Sequence, residues 1–202
     1  MSDRSAIKRV FGTALATLLS CALLLPAAQA TEVPYYIEYT GHGFDVERPT
    51  GNPFDLAPPN LVDADAKGSF GAKSAVIMSN FVLQFQDAPV PPCEHAAQAY
   101  YLIGYANAVT SFKDGSQLYA RGEWSDNGWM CIDVNTGEFF GESYGKIVGG
   151  TGRFEGASGT YTSPFSGKQL IFPFVGTEHF PFGTEYPLFA ITGSFYGTVE
   201  FD

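Results

Sequence analysis

Apolar and polar residues alternate with a period of two along most of the chain after residue 30, and no window there spaces apolar residues at helical intervals. Strand is therefore predicted almost throughout. At the C-terminus Phe189, Ile191, Phe195, Val199 and Phe201 share a face with Gly193 and Gly197, opposite Thr192, Ser194, Tyr196, Thr198 and Glu200. One face of that strand is buried and the other is wet or lines a lumen. Ala75, Ile77, Phe81, Leu83 and Phe85 alternate in the same way with Val76, Met78, Asn80, Val82 and Gln84. A third run sets Tyr101, Ile103, Tyr105, Asn107 and Val109 against Leu102, Gly104, Ala106 and Ala108.

Between the runs lie Lys113-Asp114-Gly115-Ser116, Asp126-Asn127-Gly128 and Asn135-Thr136-Gly137, residues that tolerate the positive φ of tight turns. Short turns imply antiparallel hairpins, since a parallel pair needs a crossover of a dozen residues or more. Glycines within the strand patterns, at 141, 145, 156, 193 and 197, suit a tightly curved sheet, and the expected fold is an all-β closed antiparallel barrel. A segment from about 47 to 65, with Pro49, Pro53, Pro58 and Pro59, reads as a long loop across one barrel end.

Residues 1–30 stand apart. Arg4, Lys8 and Arg9 precede an apolar run from Ala14 to Leu25, Pro26 breaks it, and Ala28-Gln29-Ala30 offers small residues for cleavage. That order is a secretory signal peptide, leaving 31–202 as a single barrel domain, periplasmic or secreted, with no membrane attachment after cleavage. Cleavage removes three of the 11 Lys and Arg and one of the 21 Asp and Glu, so 8 stand against 20 and the net charge moves from −10 to −12. Such a chain repels phosphate backbones, and nucleic acid is excluded as a partner. Of the three cysteines, Cys21 falls in the signal. Cys93 and Cys131 are left as an even pair in an oxidising compartment, and a disulfide between them is expected.

Several motifs resemble catalytic signatures without their context. Gly141-Glu142-Ser143-Tyr144-Gly145 matches a nucleophile elbow, but no helix follows it. The glycines at 149, 150, 152 and 156 are wrongly spaced for a dinucleotide loop, and His42, His95 and His179 show no ligand spacing, so neither cofactor nor metal is expected. Arg121 and Glu142 read as an outer-face ion pair.

The segment Ile147-Val148-Gly149-Gly150-Thr151-Gly152-Arg153-Phe154-Glu155-Gly156-Ala157-Ser158-Gly159, followed by Gln169-Leu170-Ile171-Phe172-Pro173-Phe174, resembles the allene oxide cyclase barrel family, whose fold is shared with dirigent proteins. The glycines would turn the chain sharply and Phe154 would return to the core. The resemblance implies an eight-stranded barrel and a cofactor-independent cyclase or isomerase holding a small hydrophobic molecule in its lumen. It implies a glutamate on the first strand, which carries over to Glu38 as the catalytic candidate, with Thr40 where the family has asparagine. A buried Glu38 would have a raised pKa and act as general acid or base. By alternation Asn80, Tyr105 and Asn107 join Thr40 as expected lumen groups. Three other readings stay open: a non-catalytic lipocalin-like binder of an apolar molecule, a dirigent-like guide of a reactive intermediate, and a barrel filled by its own aromatics. Homo-oligomerisation is also left open.

Overall fold

The computed structural model describes residues 31–45, 59–84, 92–93, 98–133, 135–170 and 188–201. The signal segment, residues 46–58 of the Pro-rich segment, and Ile171 to Phe174 lie outside the described residues. Nine strands follow in chain order: β1 (Thr31–Asp45), β2 (Asn60–Gly68), β3 (Ala72–Gln84), β4 (Gln98–Phe112), β5 (Gln117–Glu123), β6 (Trp129–Asp133), β7 (Glu138–Thr151), β8 (Ser158–Gln169) and β9 (Leu188–Phe201). Every pairing is antiparallel, as the short turns imply. The sheet order is β3-β2-β1-β9-β8-β7-β5-β4, and the β3–β4 pairing joins its two ends into a ring of eight strands. β6 pairs with β4 and β7, continuing the ring position that β5 occupies over the first part of its length. No helix among the described residues is long and apolar enough to cross a membrane.

Inward positions follow the alternation. Tyr35, Ile37 and Tyr39 on β1 are buried, and so are Phe139, Ser143 and Ile147 on β7 and Tyr161, Ser163 and Phe165 on β8. β9 points Phe189, Phe195 and Val199 the same way, as its pattern predicts. A simple rule organises these rings. Tyr35 sits in register with Gly197, Tyr39 with Gly193, Tyr161 with Gly145, Phe165 with Gly141, Phe139 with Gly167, and Phe189 with Gly43. At Gly43, Gly141, Gly145, Gly167 and Gly193 a Cβ would collide with the facing ring, so the glycine lets that ring lie along the wall, whereas at Gly197 it would meet the Thr160 backbone. The inner faces of β2, β3 and β4 carry Ala64, Ala66, Ala75, Ala106 and Ala108, small residues that accommodate rings from the opposite wall.

Two expectations are corrected. β2 begins at Asn60, inside the segment expected as loop. Val62, Ala64 and Ala66 are buried between exposed Asp63, Asp65 and Lys67, a period-two pattern hidden by residues of low strand propensity. On β4, a register shift at Asn80/Phe81 passes Gly104 as an extra residue, so Ile103 is inward while Ala106, Ala108, Thr110 and Phe112 take the inner face beyond it. One inserted residue reverses the side-chain parity, and Tyr105, Asn107 and Val109 turn outward. Asn80 fits this bulge: its Oδ1 accepts the Tyr105 N–H at 2.8 Å, and its amide occupies the space a side chain at Gly104 would need.

The ring has two unlike ends. At one end lie the first residues of β1, the last of β9, and the short connections at Ser69–Gly71, 113–116 and Gly152–Phe154. At the other lie Asp45, Asn60, Gln84, Gln98, Gln169 and Leu188, the strand ends that lead into segments 46–58, 85–97 and 171–187, together with the Asp133 to Glu138 turn. Cys93 and Cys131 form the expected disulfide, with Cα atoms 5.6 Å apart, and it fixes the chain before β4 onto β6.

Candidate functional site

The first end is sealed by aromatic packing. Phe154, returned inward by the glycine-rich turn, lies 4.6 Å from Phe112, 5.5 Å from Phe70 and 6.0 Å from Phe201, ring centre to ring centre. Gly152 holds φ at 60°, a left-handed conformation that a glycine adopts without strain. Phe70 takes φ 58° with no such freedom, a cost that its packing against Phe112, Phe154 and Phe201 offsets. Arg153 covers this cluster. Its guanidinium carbon lies 5.0 Å from the Phe154 ring centre, 5.1 Å from Phe112 and 5.7 Å from Phe70. The same group donates to the Phe70 carbonyl and pairs with Asp114 at 3.3 Å. Asp114 is itself an acceptor for the Ser116 hydroxyl at 2.6 Å and the Ser116 N–H at 3.1 Å; these bonds, with Arg153, hold its pKa below the usual value.

Above the seal the interior changes character. Tyr39 Oη and Ser163 Oγ are hydrogen-bonded at 3.3 Å, and Tyr161 Oη and Ser143 Oγ at the same distance. Phe195 packs between the two phenols, 5.0 Å from Tyr39 and 5.8 Å from Tyr161. Burial pushes the Tyr39 pKa up to about 12 against the opposing bond to Ser163, and raises those of Tyr35 and Tyr161. All three phenols are therefore neutral hydrogen-bonding groups at neutral pH. Toward the second end Phe165 meets Phe81 and Phe139, each at 6.4 Å, and Phe139 meets Phe189 at 5.7 Å. The buried polar residues among those described are Ser79, Asn80, Thr110, Ser116, Ser143 and Ser163, with no charged side chain among them.

The expected lumen residues are not brought together there. Glu38 lies on the outer face between inward Ile37 and Tyr39, with its side chain 44% exposed and paired to Lys67 at 2.9 Å. The bond from Lys67, followed by that from the Tyr36 hydroxyl, lowers its pKa, the opposite of the shift expected for a buried acid. Thr40 is also outward, hydrogen-bonded to Thr192 at 3.2 Å. Tyr105 pairs across β5 with Glu123 and Asn107 with Arg121, both exposed, on the outer face that the bulge dictates. Asn80 is buried but serves the bulge. Arg121 pairs with Glu123 at 3.0 Å rather than with Glu142, which accepts from Tyr144 instead.

The interior polar groups that sequence reasoning passed over are Tyr35, Tyr39, Ser143, Tyr161 and Ser163. Their signal was parity: each shares a face with a residue such as Ile37, Ile147 or Phe165. Ser143 sits mid-strand on β7, bonded to Tyr161, so the elbow-like motif is a wall of the ring.

No protein-family model matches the chain, and no curated protein matches it. Solved structures similar to it include the pterocarpan synthase dirigent protein PsPTS1, at 15% identity over 84% of this chain and 96% of that one, with a TM-score of 0.33. They also include the pterocarpan synthase dirigent protein GePTS1, at 12% identity over 84% of this chain and 85% of that one, with a TM-score of 0.31.

Proposed function

We propose that the ring is a closed barrel that binds a small, uncharged aromatic or apolar molecule at its second end and does not transform it. One observation carries this reading: the described interior is aromatic and hydroxyl-bearing but uncharged. A cyclase of the kind the sequence motif implies needs a carboxylate at the reacting atoms, and Glu38 is on the other side of the wall. The buried phenols hold their protons and can donate or accept one hydrogen bond, which orients a neutral ligand without supplying a base at neutral pH. Entry would be at the second end, because the first is occupied by Phe70, Phe112, Phe154 and Phe201.

The test is calorimetry on the protein purified from its exported fraction, with 2-naphthol and 2-naphthoate as a matched neutral and anionic pair. Neutral naphthol should bind, and naphthoate at least about tenfold more weakly, because the interior has no cation to offset burial of its charge. Binding of naphthol should be flat between about pH 5 and pH 9, where the interior phenols do not titrate. No heat and no displaceable ligand with either compound would overturn the proposal in favour of a barrel filled by its own side chains.

A further inference from the structure

A second concavity lies on the outside of the ring, over β2, β1, β9 and β8, where neither the motif nor the alternation pointed. It is an open groove of 680 Å³, within the range of roughly 300–1,000 Å³ common for small-molecule sites. Its position has a local cause. The β8–β9 ladder runs to Thr162↔Tyr196 and resumes in the same register at Phe165↔Gly193. Pro164 falls in the gap, and a proline in a strand that is paired on both sides has no N–H to give its neighbour.

The lining is chemically mixed in a particular way. Two flat apolar surfaces, the rings of Tyr36 and Pro164, belong to strands on either side of β9. Hydroxyls of Thr40, Thr192, Ser194 and Ser166 stand beside them, each able to donate or accept. Glu38 and Asp65 add acceptors and Lys67 adds a donor. Tyr36, 49% exposed, is held in place: its N–H donates to Ser69 Oγ at 2.9 Å and its hydroxyl to Glu38 Oε1 at 3.1 Å. Glu38 is fixed in turn by Lys67.

We infer that this outer groove binds a neutral saccharide, with a pyranose ring laid against Tyr36 and its hydroxyls met by Glu38, Lys67 and the Thr40–Thr192 pair. The apolar face of a pyranose presents C–H groups that pack on an aromatic ring, while its rim carries hydroxyls that are at once donors and acceptors. Anions are disfavoured by two carboxylates against one ammonium in the groove and by a chain charge of −10. A purely apolar molecule would strip water from the ion pair and hydroxyls without replacing it. An added peptide strand has no place to pair, because β1, β8 and β9 already have a partner on each side.

The experiment is a heteronuclear NMR titration of the exported protein with cellobiose, maltose and chitobiose as neutral probes and galacturonate as the anionic control. At about 10 mM sugar, at least one neutral disaccharide should shift the amides of Thr40, Thr192 and Ser194, and galacturonate should not. Tyr36→Ala and Glu38→Gln, both outward substitutions that leave the interior untouched, should each weaken binding about tenfold or more. Val148→Ala, on the outer face of β7 and away from the groove, should leave it unchanged. Absence of any shift, tighter binding of galacturonate, or binding indifferent to both groove substitutions would overturn the assignment. Saturating 2-naphthol should not displace the sugar, which separates this site from the interior one.

Discussion

The two ends of the ring use phenylalanine differently. At the sealed end Phe154 is fully buried, touches Phe70, Phe112 and Phe201, and lies under a guanidinium that also ties down the 113–116 turn. At the other end Phe189 contacts the ring of Phe139, and Phe81 contacts Phe165, with part of the Phe81 side chain accessible. Between them the Tyr39–Ser163 and Tyr161–Ser143 pairs are polar but neutral. The difference teaches that the first end is a stability element built from short turns and closely packed rings, while the rings at the other end make fewer aromatic contacts. A ring closed by hydrogen bonds all round can hold its form from one end, because each strand is paired on both sides.

The sharpest way to break that comparison is to remove one ring from each end. Phe154→Ala should cost about 3–5 kcal/mol, the range for a large buried aromatic replaced by a methyl, read as a fall in the urea midpoint at unchanged slope. Phe189→Ala, with fewer aromatic neighbours and at the opposite end, should cost less, about 3 kcal/mol at the bottom of that range. Equal losses would mean that both ends are sealed alike. The disulfide comes next, because it stabilises the half of the ring that the plug does not. Replacing Cys93 and Cys131 together by Ser should cost about 4 kcal/mol on the chain-entropy estimate for a sequence separation of 38, and leave the sealed end's amide protection from hydrogen exchange relatively intact.

A third measurement probes the layer between the ends through pH. In the unfolded chain a tyrosine titrates near 10, whereas the Tyr39 pKa is pushed up to about 12 in the fold. Between these values the unfolded state binds fewer protons than the native one, so the stability present in full below pH 10 is lost as pH rises toward 12. Tyr39 alone should remove about 2–3 kcal/mol across that window, and Tyr35 and Tyr161 act in the same direction. Tyr39→Phe should flatten the alkaline slope of the urea midpoint. An unchanged slope would show that the phenol is accessible to solvent in the native state.

Much of this was legible along the chain, and the misses share a cause. The inward set on β9 and the return of Phe154 followed from alternation and from the glycine-rich turn, both local features. β2 was hidden because Ala and Asp carry little strand propensity, so only its pairing with β1 and β3 reveals it. The faces of β4 depended on a single extra residue at Gly104, whose position is set by the partner strand and by the Asn80 amide, neither of which is local. Glu38 was misplaced for another reason. The resemblance put a catalytic glutamate on the first strand, yet Ile37 and Glu38 on opposite faces already placed the charge outside. Local parity was the better guide there.

Arg153 supplies the smallest effect and the finest test of the seal. Its side chain is 39% exposed, so its pairing with Asp114 is screened and worth little by itself. Contact with the faces of Phe70, Phe112 and Phe154 is a different interaction, which depends on a planar cation lying over rings and is less sensitive to salt. Arg153→Met keeps much of the stem but removes the charge, and should cost about 1 kcal/mol. Arg153→Lys keeps the charge but loses the plane and the fork that reaches both Asp114 and the Phe70 carbonyl, and should recover less than half of that loss. Measured at about 50 mM and about 500 mM salt, the cost of Arg153→Met should fall only slightly, whereas that of Asp114→Asn should shrink toward zero. A full rescue by lysine, or a cost for Arg153→Met that disappears in salt, would reduce the cover to a surface ion pair and leave the four phenylalanines to close that end unaided.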